Sequence, residues 1–206
     1  MTHSVALIGD VVGSRRAPDR AGLQRLLVDA LAEVTTRLGG QLTMTVGDEF
    51  QGRYPDLETA LAASMRLHLG LIGPARLRIG IGQGPLSFET DSGSPLGQDG
   101  PVWWRARDAI ESVEAGGDQA RTKVHTDTVW DGVINAYLLL RDTLLGRLDE
   151  ADGVIGLGLL DGFTQKELAN RLGLNQSSVS RRVNGHGLAA LVAAASFSLG
   201  DLEANP

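Results

Sequence analysis

The chain has 206 residues, a formal net charge of −6 and no cysteine. That length allows one large domain or two small ones, the mild acidity argues against a surface that binds polyanions throughout, and the lack of cysteine excludes disulfides and thiolate zinc sites. The four histidines are scattered without metal-ligand spacing, and no apolar run reaches the roughly 20 residues of a membrane span; with no basic segment ahead of an apolar core at the N-terminus, the expectation is a cytoplasmic protein with no membrane partner.

Ser4 to Asp10 is a short apolar run bounded by glycine and closed by an aspartate, long enough for a buried strand. Val11, Val12, Gly13, Ser14, Arg15 and Arg16 follow as a loop. Asp19 to Leu38 then reads as a helix with Leu23, Leu26, Leu27, Ala30, Leu31, Val34 and Leu38 on one face. Two short strands come next, Gln41 to Val46 and Phe50 to Tyr54, joined by a turn in which Gly47 and Gly52 tolerate backbone angles that other residues resist. A strand, a helix and a strand make a right-handed crossover, so the first two strands should run parallel. The hairpin tip then falls at the same sheet end as Asp10. If the third strand lies beside the first, Asp10 and Asp48 meet there. Two carboxylates with a glycine-bearing loop and two arginines alongside suggest a site for Mg²⁺ and a triphosphate, because Mg²⁺ takes one or two protein carboxylates and completes its shell with phosphate and water. Glu49 would assist from the next position.

Asp56 is placed to cap a second helix, with Leu57, Ala60, Leu61, Ser64, Leu67 and Leu71 inward and Gly73-Pro74 as its end. Arg76 to Gln83 alternates as a fourth strand, and its Gly80 and Gly82 suggest close approach of a helix or ligand to the backbone. A loop from Gly84 to Gly100, a helix from Pro101 to Ala115 and a short strand from Thr122 to His125 complete this part. The order βαββαβ, then αβ, predicts an α+β, ferredoxin-like domain over residues 1–126, with a mostly antiparallel sheet and helices on one face.

From Asp127 the pattern becomes helical. Val129, Val133, Ala136, Tyr137, Leu140, Leu144 and Leu148 mark the expected buried side of a connector helix, and Ala151 to Leu160 a further short one. Thr164 with Glu167 three residues on forms a capping box. Leu168, Ala169 and Leu172 should face inward, Gly173 should make a turn, and Val179 and Val183 should bury the next helix. That leaves Gln176, Ser177, Ser178, Ser180, Arg181 and Arg182 outward, all able to bond phosphates or base edges. The spacing predicts a helix-turn-helix whose second helix reads DNA, in an all-α domain over 127–206.

The blocks Ile8-Gly9-Asp10-Val11-Val12-Gly13-Ser14-Arg15, Gly47-Asp48-Glu49-Phe50-Gln51-Gly52, Leu77-Arg78-Ile79-Gly80-Ile81-Gly82 and Gly100-Pro101-Val102-Trp103-Trp104-Arg105-Ala106-Arg107-Asp108-Ala109 resemble the SatD-like family of small bacterial proteins. They are also similar, more distantly, to class III nucleotidyl cyclases and diguanylate cyclases. That resemblance implies metal ligands at Asp10 and Asp48, a phosphate-wrapping loop from Val11 to Arg15 with Gly47 and Glu49 nearby, a transition-state arginine at Arg107, and a homodimer. It also has departures. Trp103 stands where cyclases carry an asparagine, and Met44 where many carry a purine-selecting lysine. A site that keeps metal and phosphate ligands but lacks those groups should bind better than it turns over. The expectation is a DNA-binding transcriptional regulator that senses a nucleotide or nucleotide second messenger with Mg²⁺. The alternatives are an active cyclase or nucleotidyltransferase acting on ATP or GTP, and a dimeric DNA-binding protein with no ligand.

Overall fold

The computed structural model describes residues 3–89, 94–117 and 119–195; residues 90–93 of the expected 84–100 loop, and the last eleven residues of the expected C-terminal domain, lie outside it. Strand β1 (His3–Val11) leads through one 3₁₀ turn (Ser14–Arg16) into helix α1 (Arg20–Leu38). Asp19 caps α1 by accepting the Gly22 N–H at 2.7 Å, which satisfies one of the donors that a helix start leaves open. The hairpin β2 (Gln41–Met44) and β3 (Phe50–Tyr54) follows, then α2 (Leu57–Gly70), β4 (Leu77–Pro85), α3 (Pro101–Ala115) and β5 (Thr122–His125). The strands form one sheet in the order β2-β3-β1-β4-β5. Its first four strands have the 4-1-3-2 order of the split βαβ arrangement. Pairing is antiparallel except between β4 and β5, so β1 and β2 run the same way with β3 between them, as the crossover requires.

One expectation is corrected. The helices cover both faces of the sheet, not one. Val5, Leu7, Ile79 and Ile81 pack with α1 and α2, while Ala6 and Ile8 pack under Val102, Trp103, Ala106 and Ile110 of α3. The cause is legible at Gly80 and Gly82, which are on the α3 side. A Cβ on Gly80 would come within 2.3 Å of the Ala106 carbonyl, and one on Gly82 equally near the Ala106 amide. The two glycines let the α3 backbone lie directly on β4.

Five more helices follow: α4 (Asp131–Leu145), α5 (Glu150–Leu160), α6 (Gln165–Leu172), α7 (Gln176–Gly185) and α8 (Leu188–Ala195). Ile155, Leu168, Val179, Val183 and Leu188 share a core with Met65, Leu69 and Ile72 from α2 and its end. A fully buried aliphatic side chain of this kind contributes about 1.5–3 kcal/mol, so the last four helices are held to α2 by packing. On α4 the face is also corrected. Ile134, Leu138 and Leu145 are buried, whereas Val129, Val133 and Leu140 are 89%, 59% and 70% exposed. Both sides of α4 are apolar, and the tertiary fold covers the one carrying Arg141 and Asp142, whose ion pair is sealed inside.

Candidate functional site

The register of β1 builds the site. Gly9 pairs with Phe50 on β3, and Asp10 with Arg78 on β4. Gly9 has to be glycine, because a Cβ there would lie 2.1 Å from the Phe50 ring. Between β2 and β3, the hairpin closes with the Thr45 N–H donating to the Glu49 carbonyl at 2.8 Å and Gly47 at φ 75°. This brings Asp48 against the end of β1, where its Oδ2 accepts the Val11 N–H at 3.3 Å. Asp10 and Asp48 therefore stand at one sheet end, as their strand order demanded.

Each neighbouring acid has its own arginine. Arg78 donates from Nε and Nη2 to the two oxygens of Asp10, at 2.9 and 3.0 Å, and from Nη1 to Glu114 at 2.7 Å. Arg107, on the solvent-facing side of α3, grips both oxygens of Glu49 at 2.9 and 3.1 Å. Such forked pairs are the stronger kind of charged hydrogen bond. The Arg107 guanidinium holds the Glu49 carboxyl below its ordinary range, against the opposing effect of burial. Asp10 acts in turn as one of the charges that raise Arg107, which puts Asp10, Glu49, Arg78 and Arg107 in one electrostatic cluster. Arg78 is the member that sequence reasoning missed. Its place opposite Asp10 in the register was the available signal.

In the loop after β1, Gly13 takes φ 71° and starts the 3₁₀ turn. The amides of Val11 and Val12 are spent, on Asp48 and on the Arg76 carbonyl at 2.8 Å. Those of Gly13, Ser14 and Arg15 donate to nothing among the described residues. Ser14 is buried and Arg15 exposed. Of the two carboxylates at this sheet end, Asp48 in the hairpin turn has its second oxygen open, while both oxygens of Asp10 are held by Arg78, with which an ion would have to share them. No group of three or more acidic, histidine or cysteine side chains able to hold a metal occurs among the described residues. An ion held here would complete its shell with phosphate or water. Arg107 and Trp104 also border a cavity of about 340 Å³ with Gln51 and Asp108. Trp104 is 57% exposed, its indole donating to Asp99 at 2.9 Å, whereas Trp103 is core under α3. Met44, in the position compared with the cyclase lysine, packs against the α1 side of the core.

Among the C-terminal helices, the Thr164–Glu167 capping box forms and Gly173 closes α6 at φ 64°. Gln176, Ser177 and Arg181 are exposed, and Ser178 and Ser180 partly so. Arg182 differs from its neighbour. Its Nη1 is held by Asp149 at 2.8 Å and by the buried Asp152 at 2.9 Å, so it clamps α7 to the start of α5 while Arg181 points to solvent.

A protein-family model, the SatD family, matches residues 4–195. The chain belongs to the SatD family. No curated protein sequence matches this SatD-family chain. Solved structures similar to it include an adenylate cyclase from Trypanosoma brucei in its monomeric state, at 16% identity, with a TM-score of 0.46, covering 55% of this chain and 70% of that one. Others are the dimeric guanylyl cyclase domain of the RhoGC fusion protein from the aquatic fungus Blastocladiella emersonii (18%, 0.41, 52% and 72%) and the adenylyl cyclase CyaB from P. aeruginosa (16%, 0.40, 53% and 71%). At these scores the likenesses bear on neither the chemistry nor the partners of this SatD-family chain. Among the described residues no helix is long and apolar enough to cross a membrane.

Proposed function

We propose that the chain is a cytoplasmic regulator in which the sheet end binds a nucleotide polyphosphate with Mg²⁺ and the α6–α7 pair carries the output to DNA. The observation behind this reading is the meeting of Asp10 and Asp48 beside the open amides of Gly13 to Arg15 and two arginines. Asp10 and Asp48 would hold Mg²⁺, which neutralises charge between adjacent phosphates. The amides and Arg15 would take the outer phosphate, and the exposed ring of Trp104 offers a face for a base. Arg107 is occupied by Glu49 and Trp103 is buried, so neither offers a free polar group to a reacting centre. This favours binding over turnover.

Two observations support the output. The second helix of the pair presents Gln176, Ser177 and Arg181 to solvent, the residue types that bond phosphates and base edges. On α4, Val133, Ala136 and Leu140 form an exposed stripe at the 3-4 spacing of a helix seam. Exposed apolar stripes of that kind pair, and a two-fold DNA reader needs two copies.

The test is linkage between the two ends. Fluorescence anisotropy of the full chain on genomic operator fragments is measured with and without ATP or GTP and Mg²⁺, alongside chromatography of the nucleotide for cyclic or linear dinucleotide products. The expected result is DNA binding that shifts with Mg²⁺-nucleotide, no product, and loss of both DNA binding and dimer in Leu140→Glu. A product that disappears in Asp10→Ala would replace the regulator with an enzyme. DNA affinity indifferent to every nucleotide would remove the sensing half.

A further inference from the structure

On β1, Ile8 lies two residues before Asp10, so both side chains project to the α3 side of the sheet, about 7 Å apart. Ile8 packs under α3 and pairs with Gln51 of β3. Ile8 and Gln51 also form the floor of the cavity of about 340 Å³ that Trp104, Arg107 and Asp108 of α3 border. The cavity therefore lies on the same sheet face as the Asp10 carboxylate, at a distance that a ribose and its 5′ phosphate would bridge. Its volume falls in the range of small-ligand sites.

The hydrogen-bonding groups in its wall are mostly acceptors. The Gln51 amide donates from Nε2 to Glu49 at 3.3 Å, which leaves its carbonyl oxygen to accept. The Asp108 side chain is 64% exposed, and His125 Nδ1 stands 3.9 Å from it, beyond hydrogen-bond reach. The donors are engaged. Arg107 is spread over both oxygens of Glu49, and the Trp104 indole donates to Asp99 at 2.9 Å, which fixes the plane of the ring.

We infer that this cavity takes the base of the bound nucleotide and that the base is guanine, read by the Asp108 carboxylate and the Gln51 carbonyl. This rests on the Mg²⁺-nucleotide reading above and names its ligand. Guanine carries N1–H and the 2-amino group side by side on one edge, so two acceptors can both be filled, one of them by a charge-assisted bond. Adenine offers one amino group beside the lone pair of N1, which would face an oxygen and leave it unpaired. Trp104 stacks on either base and does not choose between them.

The experiment is calorimetric titration of the full chain with GTP, ITP and ATP, each with Mg²⁺. Inosine keeps N1–H and lacks the 2-amino group. GTP should bind more tightly than ITP, and ITP more tightly than ATP. The GTP-to-ATP ratio should be about tenfold, the low end for a hydrogen bond to a charged group because Asp108 is open to water. Asp108→Ala should bring the three affinities together, whereas Trp104→Ala should weaken all three alike. ATP bound as tightly as GTP, or a GTP preference that survives in Asp108→Ala, overturns the guanine assignment while the nucleotide site stands. Absence of binding by all three removes the nucleotide site itself, and this assignment with it.

Discussion

Replacing Asp48 by asparagine separates a metal ligand from a structural acid. In the fold Asp48 makes one hydrogen bond, a long one, from the Val11 N–H at 3.3 Å. Asparagine can still accept that bond through its side-chain carbonyl, so the loss should stay below the roughly 1 kcal/mol of an ordinary hydrogen bond. For a chain of this size that is at most about 2–4 °C. The ligand-bound state should differ far more. A nucleotide at a hundredfold excess over Kd stabilises the parent by about 2.7 kcal/mol, or about 5–10 °C. Asparagine removes the negative charge that Mg²⁺ needs, so Asp48→Asn should show no nucleotide-dependent rise. The assay is differential scanning fluorimetry with ATP and GTP, each with Mg²⁺ and with EDTA. A rise of the same size in Asp48→Asn, or in the parent with EDTA, would refute the reasoning, because the carboxylate would then be irrelevant to binding.

Two further outcomes follow from the ion pairs. Arg181→Ala should leave stability unchanged and lower the salt slope of DNA binding by about one, whereas Arg182→Ala should cost about 1–3 kcal/mol in denaturant melts, because it strips a cation from the buried Asp152; equal behaviour of the two would contradict the clamp. Glu49 has its pKa lowered chiefly by the Arg107 hydrogen bonds, so its contribution is present above the unfolded carboxyl pKa and is lost as pH falls through the lower folded value. Glu49→Gln should therefore melt below the parent at neutral pH, with the gap closing under strong acid; a gap constant with pH would mean that the pair contributes nothing.

Much of the molecule was determined by the sequence alone, wherever a local rule had one solution. An apolar run bounded by glycine located β1 and period-two alternation located β4, capping residues located the starts of α2 and α6, and the handedness of a strand-helix-strand crossover put Asp10 and Asp48 at one sheet end before any contact was visible. The tertiary structure decided what local rules leave open. Helix α4 is apolar on two sides, and only packing against the sheet selects the side with Ile134 and Leu138, leaving Val133 and Leu140 in solvent. Arg181 and Arg182 are chemically alike and adjacent, and only the position of α5 ties one of them to Asp152. Arg78 and Arg107 are 68 and 58 residues from the acids they hold, and Arg16, Arg76 and Arg121 come from three connections to line one cavity. Hydrophobic period and capping act over a few residues, while ion pairing and cavity formation depend on distances that exist only once the chain has closed on itself.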